Sequence, residues 1–153
     1  MGTVKWGILG AAKIAKEQVI PAMKKSKNTE LYAIASRDIS KAEDFCHKFA
    51  ITKAYDDYNK LISDPNIDAV YIPLPNHLHV PFSINALKAG KHVLCEKPIS
   101  ITSDEIFELM QVQKETKKIV SEAFMVRFHP QWTETKKLIQ DGEIGKLNAI
   151  QGL

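Results

Sequence analysis

Short apolar runs alternate with stretches of helical spacing along almost the whole chain, and this alternation limits the fold more than any other feature. "VKWGILG" is apolar, ends in glycine and reads as a strand. "KIAKEQVIPAMKKS" follows with Ile14, Val19, Ala22 and Met23 able to share one helical face, and Pro21 inside it predicts a kink or a division. "TELYAIAS" is the second strand. "DISKAEDFCHKFA" is the second helix, capped by Asp38 or Ser40, with Ala42, Phe45 and Phe49 on its apolar side. "ITKAYDD" holds a brief strand and "DYNKLISD" a short helix closed by Pro65. "DAVYIPLP", "KHVLCEK" and "IVSEAFMVRF" read as further strands. "HVPFSINALKAG", "TSDEIFELMQVQKETKK" and "PQWTETKKLIQDG" read as helices. Thr102 or Ser103 caps the second of these, with Glu105 placed for a capping box. Such alternation predicts an α/β fold with a mainly parallel sheet, and strands this dense in Val, Ile, Leu and Ala predict a sheet covered on both faces.

"GKLNAIQGL" begins one more strand at the end of the sequence. A lone final strand with no partner is a liability. The expectation is one complete domain over residues 1–124 and the truncated start of a second over 125–153.

The 153 residues are 44% hydrophobic and 25% charged, which suffices for a real core and argues against disorder. No apolar stretch approaches the roughly 18 residues of a membrane span, and the opening lacks the pattern of a signal peptide. A net charge of +3 spread over scattered lysines implies no nucleic-acid partner. Cys46 and Cys95 form no CxxC pair, so a reduced, cytoplasmic setting is expected.

The turn "GILGAAKIA" joins the first strand to the first helix. The dinucleotide fingerprint G-x-G-x-x-G/A falls on Gly10, Ala12 and Ala15. Gly10 suits the tight turn. The small residues at 12 and 15 suit close approach of a pyrophosphate and of helix to sheet, although Ala12 departs from the glycine of the pattern. Amides at the helix start, around Lys13 and Ile14, would face the phosphates. The second strand ends in "ASRD". Ser36 and Arg37 stand where a 2′-phosphate on the adenine ribose would sit, which favours NADP over NAD, while Asp38 follows as a helix cap. No G-x-x-x-x-G-K-[ST] motif is present, which argues against a nucleotide triphosphatase.

In "IPLPNHLHV", Pro73 and Pro75 hold the chain extended, which suits a wall beside a bound ring. Asn76 either binds a ligand or caps the helix beginning near His77. His79 either approaches substrate or cofactor or is packed. His77 and His79 do not suffice for a metal, and none is expected. "CEKP" lies at the end of another strand, where parallel sheets bind ligands. Pro98 restricts Lys97 to extended backbone and admits a cis bond. A lysine fixed there would handle the proton of an alcohol while hydride leaves its carbon, and an oxidised nicotinamide nearby would disfavour a second positive charge. The alternative is a surface lysine. Glu96 pairs with a basic group or holds the loop.

Taken together, "GILGAAKIA", "ASRD", "DAVYIPLPNHLH", "AGKHVLCEKP" and "RFHPQW…GEIGKL" resemble the glucose-fructose oxidoreductase / inositol dehydrogenase family in order and spacing, almost end to end. The resemblance implies a Rossmann domain followed by an α+β domain with an open sheet. It implies hydride transfer between NADP, or NAD, and a hydroxyl carbon of a sugar, cyclitol or related diol, and a homo-oligomer at full length. Lys97 matches the lysine of the family's glutamate-lysine-proline motif. Gly10, Ala12, Ser36 and Arg37 match cofactor-contacting positions, as do Pro73, Leu74, Asn76 and His79 around the crevice. Arg127 matches an arginine near the nicotinamide. Trp132 is either a cofactor or substrate neighbour or a core aromatic. The family also uses an aspartate and a histidine of the second domain, which this sequence does not contain. The alternative reading is a non-catalytic dinucleotide-binding or redox-sensing domain.

Overall fold

In the computed structural model, which describes residues 2–151, the alternation becomes six strands and six α-helices. The strands are β1 (Val4–Leu9), β2 (Thr29–Ala35), β3 (Lys53–Tyr55), β4 (Ala69–Ile72), β5 (His92–Cys95) and β6 (Val120–Glu122). The helices are α1 (Ile20–Lys25), α2 (Ile39–Phe49), α3 (Tyr58–Ile62), α4 (His79–Lys88), α5 (Ser103–Thr116) and α6 (Pro130–Gln140). All the strands run parallel, in the order β3-β2-β1-β4-β5-β6.

Period-two alternation divides the strand side chains between two cores. Leu9, Ala33, Val70, Ile72 and Val93 face α3, α4 and α5, where Leu61, Ile84, Leu87 and Leu109 meet them. Ile8, Ile34 and Tyr71 point the other way, toward Ile20 of α1 and toward Ala42, Phe45 and Phe49 of α2. The sheet is thus covered on both faces, as its composition predicts. Gly7 admits the closest approach. A Cβ there would lie 2.5 Å from Leu61 Cδ2, so α3 packs directly onto the backbone of β1.

The first helix departs from its sequence reading in register. Its middle is a π-helical segment, Ala15–Val19, in which the Ile20 N–H donates to the Ala15 carbonyl five residues back. Pro21 has no N–H to continue the ordinary ladder, and the wider turn precedes it directly. The extra residue rotates the buried face, so Ala15 and Ile20 are enclosed while Ala22 is exposed.

The caps fall on the first of each pair of candidates. Asp38 accepts from the Ser40 N–H. Thr102 accepts from the Glu105 N–H, and Glu105 returns the bond to the Thr102 N–H, completing the box.

The chain divides into two compact units, the first ending at Ala123 and the second starting at Phe124. Of two strand expectations here, one is shortened and the other is not met over its described residues. The run 119–128 yields only Val120–Glu122, followed by a 3₁₀ turn at Met125–Phe128. Strand pairing stops where β5 stops, since the last registered pair is Cys95 with Glu122. Residues 146–151 form no strand, because a strand needs a neighbouring backbone and none pairs with them among the described residues. Among the described residues no helix is long and apolar enough to cross a membrane.

Candidate functional site

The sheet order reverses between β1 and β4. From β1 the chain winds outward to β2 and β3, then returns to β4 on the other side of β1. Connections that diverge from neighbouring strands leave a crevice outside their carboxyl ends. The turn after β1 lies on that crevice. Gly10 has φ +112°, a region that favours glycine, and its N–H donates to the Ala35 carbonyl at 2.8 Å. A Cβ at Gly10 would come 3.1 Å from Leu74 Cδ2, so the turn and the wall after β4 already touch closely. Ala11 and Ala12 are half-buried, and the chain is helical from Lys13 and Ile14. N–H groups of a first helical turn have no carbonyl four residues back to donate to. Lys13 is exposed, whereas Ala15 is fully buried against the sheet, as the close-packing position of the fingerprint requires.

At the end of β2, the Ser36 N–H donates to the Tyr55 carbonyl and the Ser36 hydroxyl accepts from the Asp38 N–H at 3.2 Å. That leaves the hydroxyl proton of this buried serine free to donate. The Asp38 carboxylate is engaged by the Ser40 hydroxyl at 2.6 Å and N–H at 3.2 Å, and by Lys41 at 3.5 Å. Those contacts, the Ser40 hydroxyl first, hold its carboxyl below the usual range. Arg37 is exposed, and among the described residues its guanidinium has neither a hydrogen-bond nor an ion-pair partner. A cleft of about 510 Å³ runs along Gly10, Ala12, Arg37, Lys41, Pro73 and Leu74. Lys41 was not identified from the sequence. Its signal was its place in the first turn of α2, four residues after Arg37.

The four residues after β5 form the second half of the site. The Glu96 N–H donates to the Ile72 carbonyl, extending the β4–β5 pairing by one step. The Glu96 carboxylate accepts from the buried Tyr71 hydroxyl at 2.7 Å and from the Lys97 N–H at 3.3 Å. Burial and the neighbouring Glu96 push the Tyr71 phenol well above its usual range, so it stays a donor. The Ile99 N–H donates to Glu122 Oε1 at 2.9 Å, reaching across to β6. The Lys97–Pro98 peptide is cis. Lys97 is exposed, and its ammonium has no partner among the described residues. Cys95, immediately before, is fully buried, and burial pushes its thiol up to about 12, which makes it inert as a nucleophile.

Gly10, Ser36, Leu74 and Lys97 all follow carboxyl ends of parallel strands, so they share one edge of the sheet. β5 is two strand spacings from β1, roughly 10 Å. Pro73 and Leu74 are buried in the wall, and Pro75 is exposed. Asn76 does not cap. Neither the 3₁₀ turn Asn76–Leu78 nor α4 has a side-chain cap, and Asn76 is exposed at the turn. Of the two readings of His79, the structure takes the packed one: the residue is 1% exposed, and both ring nitrogens face backbone carbonyls. Glu96 likewise acts within the protein, holding its own loop. Arg127 and Trp132 lie in the second unit, where they line a largely apolar cleft of about 730 Å³ with Phe124 and Lys136. Among the described residues no three His, Cys, Asp or Glu side chains are grouped as a metal site needs.

Comparison with known proteins agrees with this geometry. Residues 4–124 match the oxidoreductase family with an NAD-binding Rossmann fold. An uncharacterized oxidoreductase of Rhizobium meliloti is 47% identical over the whole chain, which covers 46% of that protein. The NADP(+) D-xylose 1-dehydrogenase of Haloferax volcanii is 40% identical over 95% of the chain and 44% of its own length. The crystal structure of KijD10, a 3-ketoreductase from Actinomadura kijaniata in complex with NADP, superimposes with a TM-score of 0.89 at 35% identity, covering 95% of this chain and 46% of that one. The chain therefore spans less than half the length of these relatives. With its strand order, its glycine turn and a family match over most of its length, the chain belongs to the oxidoreductase family with the NAD-binding Rossmann fold, the glucose-fructose oxidoreductase / inositol dehydrogenase group.

Proposed function

We propose that this chain is the cofactor-binding part of an oxidoreductase that prefers NADP and transfers a hydride to or from a hydroxyl carbon of a sugar, cyclitol or related diol, with Lys97 moving the proton. One observation carries the reading. A lysine without a partner among the described residues is presented by a loop bonded at several points, on the sheet edge that also holds the glycine turn.

The residues present fit a dinucleotide. Gly10 lacks the Cβ that would crowd Leu74 at the turn, the residues after it are small, and the first-turn amides suit a pyrophosphate. Arg37 and Lys41 supply positive charge at the ribose end. The Ser36 hydroxyl retains a proton to donate. Asp38, the acid that would accept from an unmodified ribose, is already engaged as a cap, which favours the 2′-phosphate. Pro73 and Leu74 form the wall between that end and Lys97. When bound, the nicotinamide supplies the hydride chemistry. Lys97 holds the substrate hydroxyl proton near the reacting carbon and accepts or returns it. The names of the xylose dehydrogenase and of the 3-ketoreductase support a sugar-type substrate.

Separate fluorescence titrations of the chain with NADPH and NADH test the cofactor assignment. NADPH is expected to bind about tenfold or more tighter, a difference of roughly 1.4 kcal/mol. Equal affinities or a preference for NADH would refute the phosphate assignment.

A further inference from the structure

We infer that His79 is a doubly protonated clasp that joins the cofactor wall to the lysine loop and so positions Lys97. Nδ1 lies 2.7 Å from the Pro98 carbonyl oxygen, and Nε2 lies 2.7 Å from the Leu74 carbonyl oxygen. Carbonyl oxygens only accept. A neutral imidazole has one N–H and one lone pair, so it would satisfy one carbonyl and set a lone pair against the other. Only a ring carrying both protons donates to both. The ring is 1% exposed, so no bulk water replaces either contact. His79 is the first residue of α4, where the helix dipole opposes positive charge. Two charge-assisted hydrogen bonds at 2.7 Å oppose that effect. The carboxylates of Glu96 and Glu122 accept from backbone N–H groups of the same four-residue loop.

The two carbonyls belong to the two halves of the site. Leu74 faces Gly10 across the crevice, and Pro98 follows Lys97 directly. His79 thus fixes the spacing between the wall and the loop without touching any ligand, which makes it a positioning residue. Tyr71 through Glu96 and Glu122 through Ile99 anchor the loop on either side of this bond. The inference rests on the proposed function only for the task given to Lys97.

Nitrogen-15 NMR of the chain, with the His79 ring assigned, tests the protonation at neutral pH without cofactor. Both ring nitrogens are expected to show the imidazolium signature. A neutral tautomer would overturn the clasp. Hydrogen exchange in His79→Gln supplies the second arm. Glutamine can donate from only one atom, so the Lys97 and Ile99 amides are expected to exchange about tenfold or more faster. The His92 amide, bonded to the Asp68 carbonyl at the opposite edge, is expected not to change. Unchanged exchange at Ile99 would equally overturn the inference. Should the variant fail to fold, the ring measurement on the unaltered chain decides alone. Neither arm involves NADPH, so a failure of the cofactor reading and a failure of the clasp are separately visible.

Discussion

Lys91 and Asp64 at one edge of the sheet and Arg37 and Lys97 at the other are held in opposite ways. At the amino edge, where β4 and β5 begin, Lys91 is 6% exposed and donates to the Asp64 and Ile67 carbonyls at 2.7 and 2.8 Å. Asp64, also 6% exposed, accepts from the Tyr55 hydroxyl, from Lys53 at 3.0 Å and from the Asn66 N–H and side-chain amide at 2.9 Å. Burial alone would raise that carboxyl, but the bonds from Tyr55, Asn66 and Lys53 outweigh it and hold it well below its usual range. At the carboxyl edge, Arg37 and Lys97 stand exposed without partners among the described residues, while their backbones are tied down. Buried charges are tolerated only while their hydrogen-bond partners are in place, so removing a partner destabilises the fold. Exposed charges on a fixed backbone contribute little to stability and are available to a ligand. On this division, changes to Asp64 or Lys91 should alter stability and leave binding alone, and changes to Arg37 or Lys97 should do the reverse.

The largest departure is expected at Lys97. In the whole enzyme, Lys97→Ala should lower kcat by about 10²- to 10⁴-fold, the range for removing a positioned acid–base group, with little change in cofactor affinity or melting temperature. Steady-state kinetics beside a thermal melt would show it, and a large loss of stability with kcat intact would erase the contrast. Next comes Asp64→Ala. It leaves the Tyr55 hydroxyl and the Asn66 amide without their acceptor and should cost roughly 2–3 kcal/mol in urea unfolding, with NADPH affinity unaltered. The pH dependence has a fixed sign. A carboxyl held low in the fold contributes its full stability above its unfolded value, near pH 4, and loses it as pH falls through the lower folded value. Asp64→Asn should therefore flatten the acid limb of the stability curve below about pH 4.

How far the sequence reveals each edge follows from the kind of signal it carries. The strands, the glycine turn, Ser36–Arg37 and the glutamate-lysine-proline loop are local patterns, and each lies within a few residues of a strand end. Local order sufficed for them. His79 stayed open between two readings because its partners, Leu74 and Pro98, are five and nineteen positions away, and no pattern marks a backbone carbonyl as an acceptor. The same holds for Asp64 and Lys91, which meet through a carbonyl over 27 residues. Pro21 announced an irregular helix, but the hydrophobic spacing did not reveal that a π segment would rotate its buried face. The strand expected at 119–128 is shorter because apolar residues there lack a paired neighbour past Cys95, which the run itself does not show.

The smaller predictions probe the carboxyl edge alone. Arg37→Ala should weaken NADPH by about tenfold or more and leave NADH nearly unchanged, because a guanidinium forks onto phosphate and has little to bond on a plain ribose. Lys41→Ala should produce the smallest effect, about two- to fivefold on NADPH, since this lysine is 65% exposed and shares its charge with Asp38 at 3.5 Å. Removing it also frees Asp38 from one partner, while the Ser40 hydroxyl continues to hold the carboxylate. Paired titrations with the two cofactors at two salt concentrations separate the contributions. A phosphate contact gives a loss confined to NADPH that shrinks as salt screens it. Equal weakening of both cofactors would place Lys41 against the pyrophosphate instead, moving it from the ribose end of the cleft to the glycine turn.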